Sequence, residues 1–220
     1  MQFLYNQKAG DQEILVCGDD YKYLFKVRRF KVGESLNIQN LKDQYLYKYK
    51  IIDIEKKEAL LKLEEKSEVN CKVIKDFHLI WCVIDNKIIE KTLPMLNQLG
   101  LKMITFVYCD RSQRNFKIDI NRIEKILINS SQQCGRNEIM KIEVMQSLDE
   151  VFIKYKNISI LDFNAAKEWS DVTKVLIGCE GGFSEQERNL FEKYRKISLK
   201  TELILKSETA AVAICSKLLI

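Results

Sequence analysis

Three of the eight glycines in this 220-residue chain fall within five positions, Gly178-Cys179-Glu180-Gly181-Gly182. They follow the apolar run VLI and precede Ser184 and Glu187, a Ser-x-x-Glu spacing that starts helices. A strand-to-helix turn of this composition is where open α/β sheets present a ligand loop: glycines let backbone amides and carbonyls approach a bound molecule, and Glu180 adds an acid at the strand end. The turn lacks both the G-x-x-x-x-G-K-[ST] phosphate loop and the G-x-G-x-x-G dinucleotide fingerprint. A purely structural turn is the alternative reading of the same residues.

A second constellation is Lys200 to Ala211, KTELILKSETAA, where an apolar turn runs into Ser207-Glu208-Thr209 and a C-terminal apolar segment. Ser207 is the expected helix cap and Glu208 suits the positive end of the helix dipole; an ordinary core helix would look the same. Arg111 and Arg114 in CDRSQRN, and Arg136 in QQCGR, follow expected elements and offer forked donors for phosphate or a developing oxyanion. Lys26, Arg28 and Arg29 stand beside Tyr21, Tyr23 and Phe25, a mixture suited to an RNA backbone and stacked bases, or to a strand with alternating exposed charges. His78, the only histidine, opens an apolar run and reads as a core or strand-end residue. One histidine supports neither a Ser/His/Asp set nor a metal cluster, so no metal site is expected.

The elements that must position these residues come in two rhythms. Residues 1–70 hold short β-like runs, EILVC, YLFKV, SLNIQ, YLYKYKIIDI and ALLKLEE, split by turn signals, which suggests a small β-barrel. Residues 71–220 alternate apolar runs (HLIWCVI, MITFVYC, KIEVM, ISILDF, KVLIG) with amphipathic segments, the pattern of an α/β domain with a mostly parallel sheet. The charged stretch EEKSEVNCK, residues 64–72, separates them. Ser147 with Glu150, and Ser184 with Glu187, mark helix starts, and Gly100 marks a helix end. The net charge of +5 is spread over both parts, 13 Lys+Arg against 12 Asp+Glu in 1–70 and 23 against 19 in 71–220, so bulk charge alone does not argue for nucleic acid. Seven cysteines with none within four residues of another suggest neither a disulfide framework nor a zinc ribbon. With no long uncharged apolar stretch and no secretory pattern, a soluble protein of the reducing cytoplasm is expected.

Together these motifs resemble the RsmE family of bacterial 16S ribosomal RNA uracil-N3 methyltransferases, within the SPOUT class. The family's G-P-E-G-G-F/L loop is similar to Gly178–Phe183, and its I-L-R-x-E-T-A run to Ile204–Ala210. Gln98–Leu101, Asp110–Ser112, Gln132–Arg136 and Val27–Glu34 resemble further family motifs, in order, over nearly the whole chain. Departures are Cys179 for proline, Lys206 for arginine, Gln98 and Gln132 for glutamates, and Tyr23 where histidine is common. Lysine at 206 keeps the charge and loses the fork.

The resemblance implies a PUA-like RNA-binding barrel over 1–70, a SPOUT methyltransferase domain with a deep trefoil knot over 71–220, a homodimer, and methyl transfer from S-adenosylmethionine to N3 of the uridine customarily numbered 1498. It implies a cofactor pocket of Leu161, Asp162, Phe163, Ile177, Gly178, Glu180, Gly181, Gly182, Leu199, Leu203, Ile204 and Leu205. Candidate RNA contacts are Lys26, Arg28, Arg29, Arg111, Arg114, Arg136 and Lys206, with Arg111, Arg136 and Glu180 as candidate catalytic residues. A SPOUT enzyme acting on a ribose 2′-hydroxyl or another base, and a non-catalytic ribosome-assembly factor, are the alternatives.

Overall fold

The computed structural model describes residues 2–69, 75–166 and 169–220, and the side chains of 164 and 166 are not described. Its contacts divide the chain into two units, Met1–Lys72 with Ile128–Ile139, and Val73–Leu127 with Met140–Ile220. The expected boundary at 70/71 lies outside the described residues.

The first unit holds β1 (Leu4–Tyr5), β2 (Glu13–Cys17), a short helix α1 (Gly18–Tyr21), β3 (Ser35–Gln39), β4 (Tyr45–Ile54) and β5 (Glu58–Glu68). The strands form one sheet in the order β1-β3-β4-β5-β2. Period-two alternation sets its inner face: Tyr47, Tyr49 and Ile51 of β4 are buried while Lys48 and Lys50 between them face solvent. Both edge strands feed the same core, through Leu4 on β1 and Ile14 and Val16 on β2. The run YLFKV is not a strand. Lys22–Val27 is a π-helical turn, because its inward residues Tyr21, Leu24 and Phe25 recur at three- and four-residue spacing and not at two. Tyr21 is consequently a core residue whose hydroxyl donates to the Glu55 carbonyl at 2.7 Å. Gln132, in the segment that groups with this unit, accepts from the Tyr5 amide through its side chain and from the Gln2 amide through its carbonyl, both at 2.8 Å. A neutral amide thus does the accepting where the family has a carboxylate.

The second unit contains β6 (His78–Cys82), α2 (Asn86–Gln98), β7 (Met103–Val107), α3 (Ile120–Cys134, whose last turns group with the first unit), β8 (Lys141–Met145), α4 (Leu148–Lys154), β9 (Ser159–Ala166), β10 (Lys174–Ile177), α5 (Glu185–Leu190), β11 (Arg195–Ile197) and α6 (Ser207–Leu219). Its six strands run β11-β9-β10-β6-β7-β8, and every neighbouring pair is parallel. Covered strands read as continuous apolar runs, and all five residues of β6 are buried. The chain builds outward from β6 through β7 to β8, then returns to add β9, β10 and β11 on the other side of β6. That places a topological switch between β6 and β10, the crevice where such sheets bind ligands.

Helix ends follow local chemistry. Ser184 and Glu187 close a full capping box, and Gly100 follows α2 at φ +86. At α4, Ser147 accepts from the Glu150 amide as expected, but the Glu150 carboxylate reaches one residue further back, to the Gln146 amide at 3.0 Å.

His78 is buried, with Nε2 2.8 Å from Thr105 Oγ1 and its ring edge-on to Tyr155. Burial, helped by the Lys174 charge, pushes its pKa down to about 4 from the ordinary 6.5. The folded-state value is depressed for a base, so the stability it contributes is present above pH 6.5 and is lost as pH falls toward 4, while the unfolded chain takes up a proton. The loss is on the order of 3 kcal/mol at about 1.4 kcal/mol per unit. Urea denaturation across that window should show the decline in the native chain, and a His78→Gln variant should flatten it; parallel profiles would exclude this origin.

Candidate functional site

The glycine turn begins where β10 ends. Gly182 sits at φ +67, a left-handed conformation that L side chains rarely adopt. A Cβ on Gly181 would lie 3.3 Å from Cβ of Arg111, so glycine there is the consequence of close packing between two loops. The turn walls a cavity of about 400 Å³. All twelve residues expected to hold the cofactor line it: Leu161, Asp162 and Phe163 from the body of β9, Ile177 with Gly178, Glu180, Gly181 and Gly182, and Leu199, Leu203, Ile204 and Leu205 from the segment between β11 and α6. β9 runs on to Ala166, so its three lining residues stand inside the strand. Most of this wall is aliphatic, with backbone groups of the turn converging on it. The size and lining suit a small molecule with a nucleoside-like body.

Three sets of bonds hold the wall. Ser207 is the first residue of α6 and is not its cap; Lys206 occupies the cap position and makes no side-chain cap bond. The Ser207 hydroxyl instead donates to the Gly178 carbonyl at 2.6 Å and accepts from Trp81 Nε1 at 2.8 Å. Trp81 is wholly buried near the C-terminal end of β6, so the sheet interior sets where Gly178 points. Sequence reasoning missed this because a serine before an apolar run has the composition of a cap; only the packing of α6 on β6 turns its hydroxyl toward the strand ends.

The loop after β7 supplies the second set. Arg111 Nη1 donates to the Gly181 carbonyl at 2.7 Å, and the Ser184 hydroxyl donates to the Asp110 carboxylate. The same loop is pinned to the chain just after β6 by Ser112, whose hydroxyl donates to the Val83 carbonyl at 3.0 Å.

Glu187 makes the third set. Its carboxylate accepts from the Ser184 amide at 2.8 Å, completing the capping box, and from the Asp110 amide at 2.9 Å. This side chain is 5% exposed. Burial pushes its pKa up, and the two backbone N–H groups oppose that shift. The capping box was legible in the sequence, but the second bond joins residues 77 positions apart and was not. Arg188 was missed as well. It lines the cavity and pairs with Asp162 at 3.5 Å, an exposed contact worth little by itself.

The candidate catalytic residues fall in both units. Glu180 is exposed on the cavity lining; Arg111 grips the turn from outside the lining; Arg136 belongs to the first unit, where it is buried against Glu138 at 3.3 Å. Among the candidate RNA contacts, Lys26, Arg28, Arg29, Arg111, Arg114 and Lys206 are exposed and Arg136 is not. Tyr21 and Phe25 are taken up by the core, which leaves Tyr23, 37% exposed, as the aromatic of that cluster open to solvent. Arg114 lies 5.6 Å from the Tyr108 ring, and Lys206 lines the cavity. Among the described residues no group of acids, histidines or cysteines is arranged to hold a metal ion, and no helix is long and apolar enough to cross a membrane.

A parallel α/β domain with a ligand cavity beside β9 and the end of β10, together with a small β domain, is the arrangement that the family models place among RNA methyltransferases. Residues 71–219 match the family described as RNA methyltransferase domain, and residues 16–64 match the RNA methyltransferase PUA domain. A ribosomal RNA small subunit methyltransferase E from Helicobacter pylori strain J99 is 41% identical over 98% of each chain. The solved structure of a putative methyltransferase from Legionella pneumophila, in complex with the bound cofactor SAM, superposes with a TM-score of 0.85 at 26% identity, covering 99% of this chain and 96% of the other. A ribosomal RNA small subunit methyltransferase E from Neisseria gonorrhoeae shares the fold, with a TM-score of 0.83 at 21% identity over 99% and 96% of the two chains. The chain belongs to the ribosomal RNA small subunit methyltransferase E family.

Proposed function

We propose that this chain transfers the methyl group of S-adenosylmethionine to N3 of a uridine in 16S ribosomal RNA, at the position equivalent to 1498. The carrying observation is the cavity at the end of β10. Its aliphatic walls from β9 and the 199–205 segment and its glycine turn, braced by Ser207, Arg111 and Glu187, fit an adenosyl body gripped by backbone groups. S-adenosylmethionine supplies an electrophilic methyl group on a sulfonium. The chain's own residues hold the acceptor. N3 of uridine carries a proton, so the base needs cationic donors beside it as negative charge develops; Arg111, bound to the glycine turn from outside the lining and otherwise exposed, is the candidate for that role. Glu180, exposed on the same turn, orients the base or takes the N3 proton.

In this reading residues 1–70 form the PUA-like RNA-binding domain and 71–220 a SPOUT domain with a deep trefoil knot. The protein acts as a cytoplasmic homodimer without a metal, and Lys26, Arg28, Arg29, Arg111, Arg114, Arg136 and Lys206 contact RNA. Family membership supports these assignments, and the exposed positions of six of the seven cations are compatible with them.

The test is methylation of 30S subunits from a strain lacking the enzyme. A methyl on N3 blocks Watson–Crick pairing, so primer extension should stop at the modified uridine, and nucleoside mass spectrometry should show 3-methyluridine. Appearance of 2′-O-methyluridine, or no stop with protein that binds the donor, would refute the proposal.

A further inference from the structure

The cysteine that stands where the family has proline is not alone. Cys179 lines the donor cavity, and its Sγ lies 3.6 Å from Sγ of Cys109, in the loop after β7 that carries Arg111. Cys109 Sγ is also 3.2 Å from the Ser112 hydroxyl, and Cys179 Sγ is 3.5 Å from the Gly182 carbonyl. We propose that Cys109 and Cys179 form a dithiol site that a hydroperoxide oxidises reversibly to a disulfide, locking the donor-pocket wall onto the Arg111 loop.

Geometry carries the case. A disulfide needs its sulfurs about 2.0 Å apart, so closing this pair takes a movement of roughly 1.5 Å. Cys179 follows Gly178 and precedes Gly181 and Gly182, a backbone that yields at low cost. The two residues are 70 positions apart in sequence, so the bond closes a long loop, which favours the oxidised state of the folded chain. Both thiols are otherwise buried, at 1% and 7% exposure, and the cavity is the route by which a small oxidant meets Cys179.

The chemistry balances in two steps. The Cys179 sulfur attacks the hydroperoxide, the O–O bond breaks, the thiol proton passes to the departing oxygen, and Cys179 sulfenic acid results together with one water from hydrogen peroxide, or one alcohol from an organic hydroperoxide. Cys109 sulfur then attacks that sulfur, the S–O bond breaks, and the departing hydroxide takes the remaining thiol proton and leaves as water. Both sulfurs are oxidised and the peroxide is reduced.

Closing the bond moves Cys179 while its neighbours Gly178 and Gly181 stay tied to Ser207 and Arg111. The peptide between them must twist where it lines the cavity. A shift on the order of an ångström at a positioned site costs about tenfold or more, so oxidised protein should bind S-adenosylmethionine about tenfold more weakly, and dithiothreitol should restore binding. This effect on the donor rests on the proposed function; the cross-link does not.

The experiment treats the purified full chain with hydrogen peroxide, alkylates it under denaturing conditions and maps the peptides by mass spectrometry, with calorimetry of S-adenosylmethionine binding in parallel. The expected result is a dithiothreitol-sensitive peptide pair joined through Cys109 and Cys179, absent in Cys179→Ala, retained in Cys82→Ala, and formed more slowly under saturating donor. A link from Cys109 to Cys82, or full alkylation of Cys109 and Cys179 while exposed Cys17 and Cys134 oxidise, overturns the site. A Cys109–Cys179 link with unchanged donor affinity overturns the lock. Reduced protein that binds no donor counts against the proposed function instead, and the mass map still decides the site.

Discussion

Replacing Arg111 by alanine is expected to slow methyl transfer to 30S subunits by about 10²–10³-fold, the usual consequence of removing one preorganised donor from a site of developing negative charge. The residue has two tasks in the structure. One guanidinium nitrogen holds the Gly181 carbonyl at 2.7 Å, and the exposed remainder of the fork is available to an anionic base or phosphate. The close approach of the Arg111 side chain to Gly181 makes the first task a matter of packing as well as hydrogen bonding. Arg111→Lys keeps the charge but has a single donor head, so it should recover only part of the loss. Single-turnover assays at saturating RNA separate transfer from binding. A loss below about threefold for the alanine variant would remove Arg111 from the chemistry, since one good hydrogen bond to a charged group is worth more than that.

Glu187→Ala should be the most destabilising substitution near the cavity, costing about 2–4 kcal/mol by leaving two backbone N–H groups, of Ser184 and Asp110, without their acceptor. It should also weaken S-adenosylmethionine binding at least about tenfold, because the Arg111 loop and the glycine turn lose their common anchor and a loosened site forfeits its geometry. Glutamine is the informative partner. Burial holds the Glu187 carboxyl above its ordinary value, so the side chain's contribution to stability is greatest below the unfolded-state pKa, where it is the neutral acid, and declines as pH rises through the folded-state one. Glutamine escapes that cost of ionisation but turns one amide donor toward a backbone donor, so a smaller loss, about 1–2 kcal/mol, is expected. Urea denaturation and calorimetry read the two effects. An alanine variant as stable as the native chain would show that the carboxylate is not a staple.

Where the sequence was legible, the residues concerned act through near neighbours. The runs HLIWC, MITFV, KIEVM and KVLI are strands because continuous β-branched and aromatic residues suit a sheet covered on both faces. Ser184-x-x-Glu187 marks a helix start because cap and amide are three residues apart. YLFKV was misread for a local reason too: five residues hold too few repeats to separate a period of two from a spacing of three and four, and Tyr21, outside the run, decides it. β11 escaped notice because RKI, three residues with two cations, carries no strand pattern of its own and exists by pairing with β9.

The amino-acid order alone therefore settled the strand-and-helix rhythm of the α/β part and the position of the glycine turn, since these depend on composition and spacing within a few positions, while the residues that line the cavity were named through the family resemblance. Tertiary structure decided what holds that cavity. Trp81 reaches Ser207 across 126 residues, Asp110 meets Glu187 across 77, and Cys109 meets Cys179 across 70. Each of these contacts depends on β10 lying beside β6, and on β7 flanking β6 on its other side. Strand order is a property of the assembled sheet. No short window of sequence contains it, because the free energy that selects it comes from burying all six strands together.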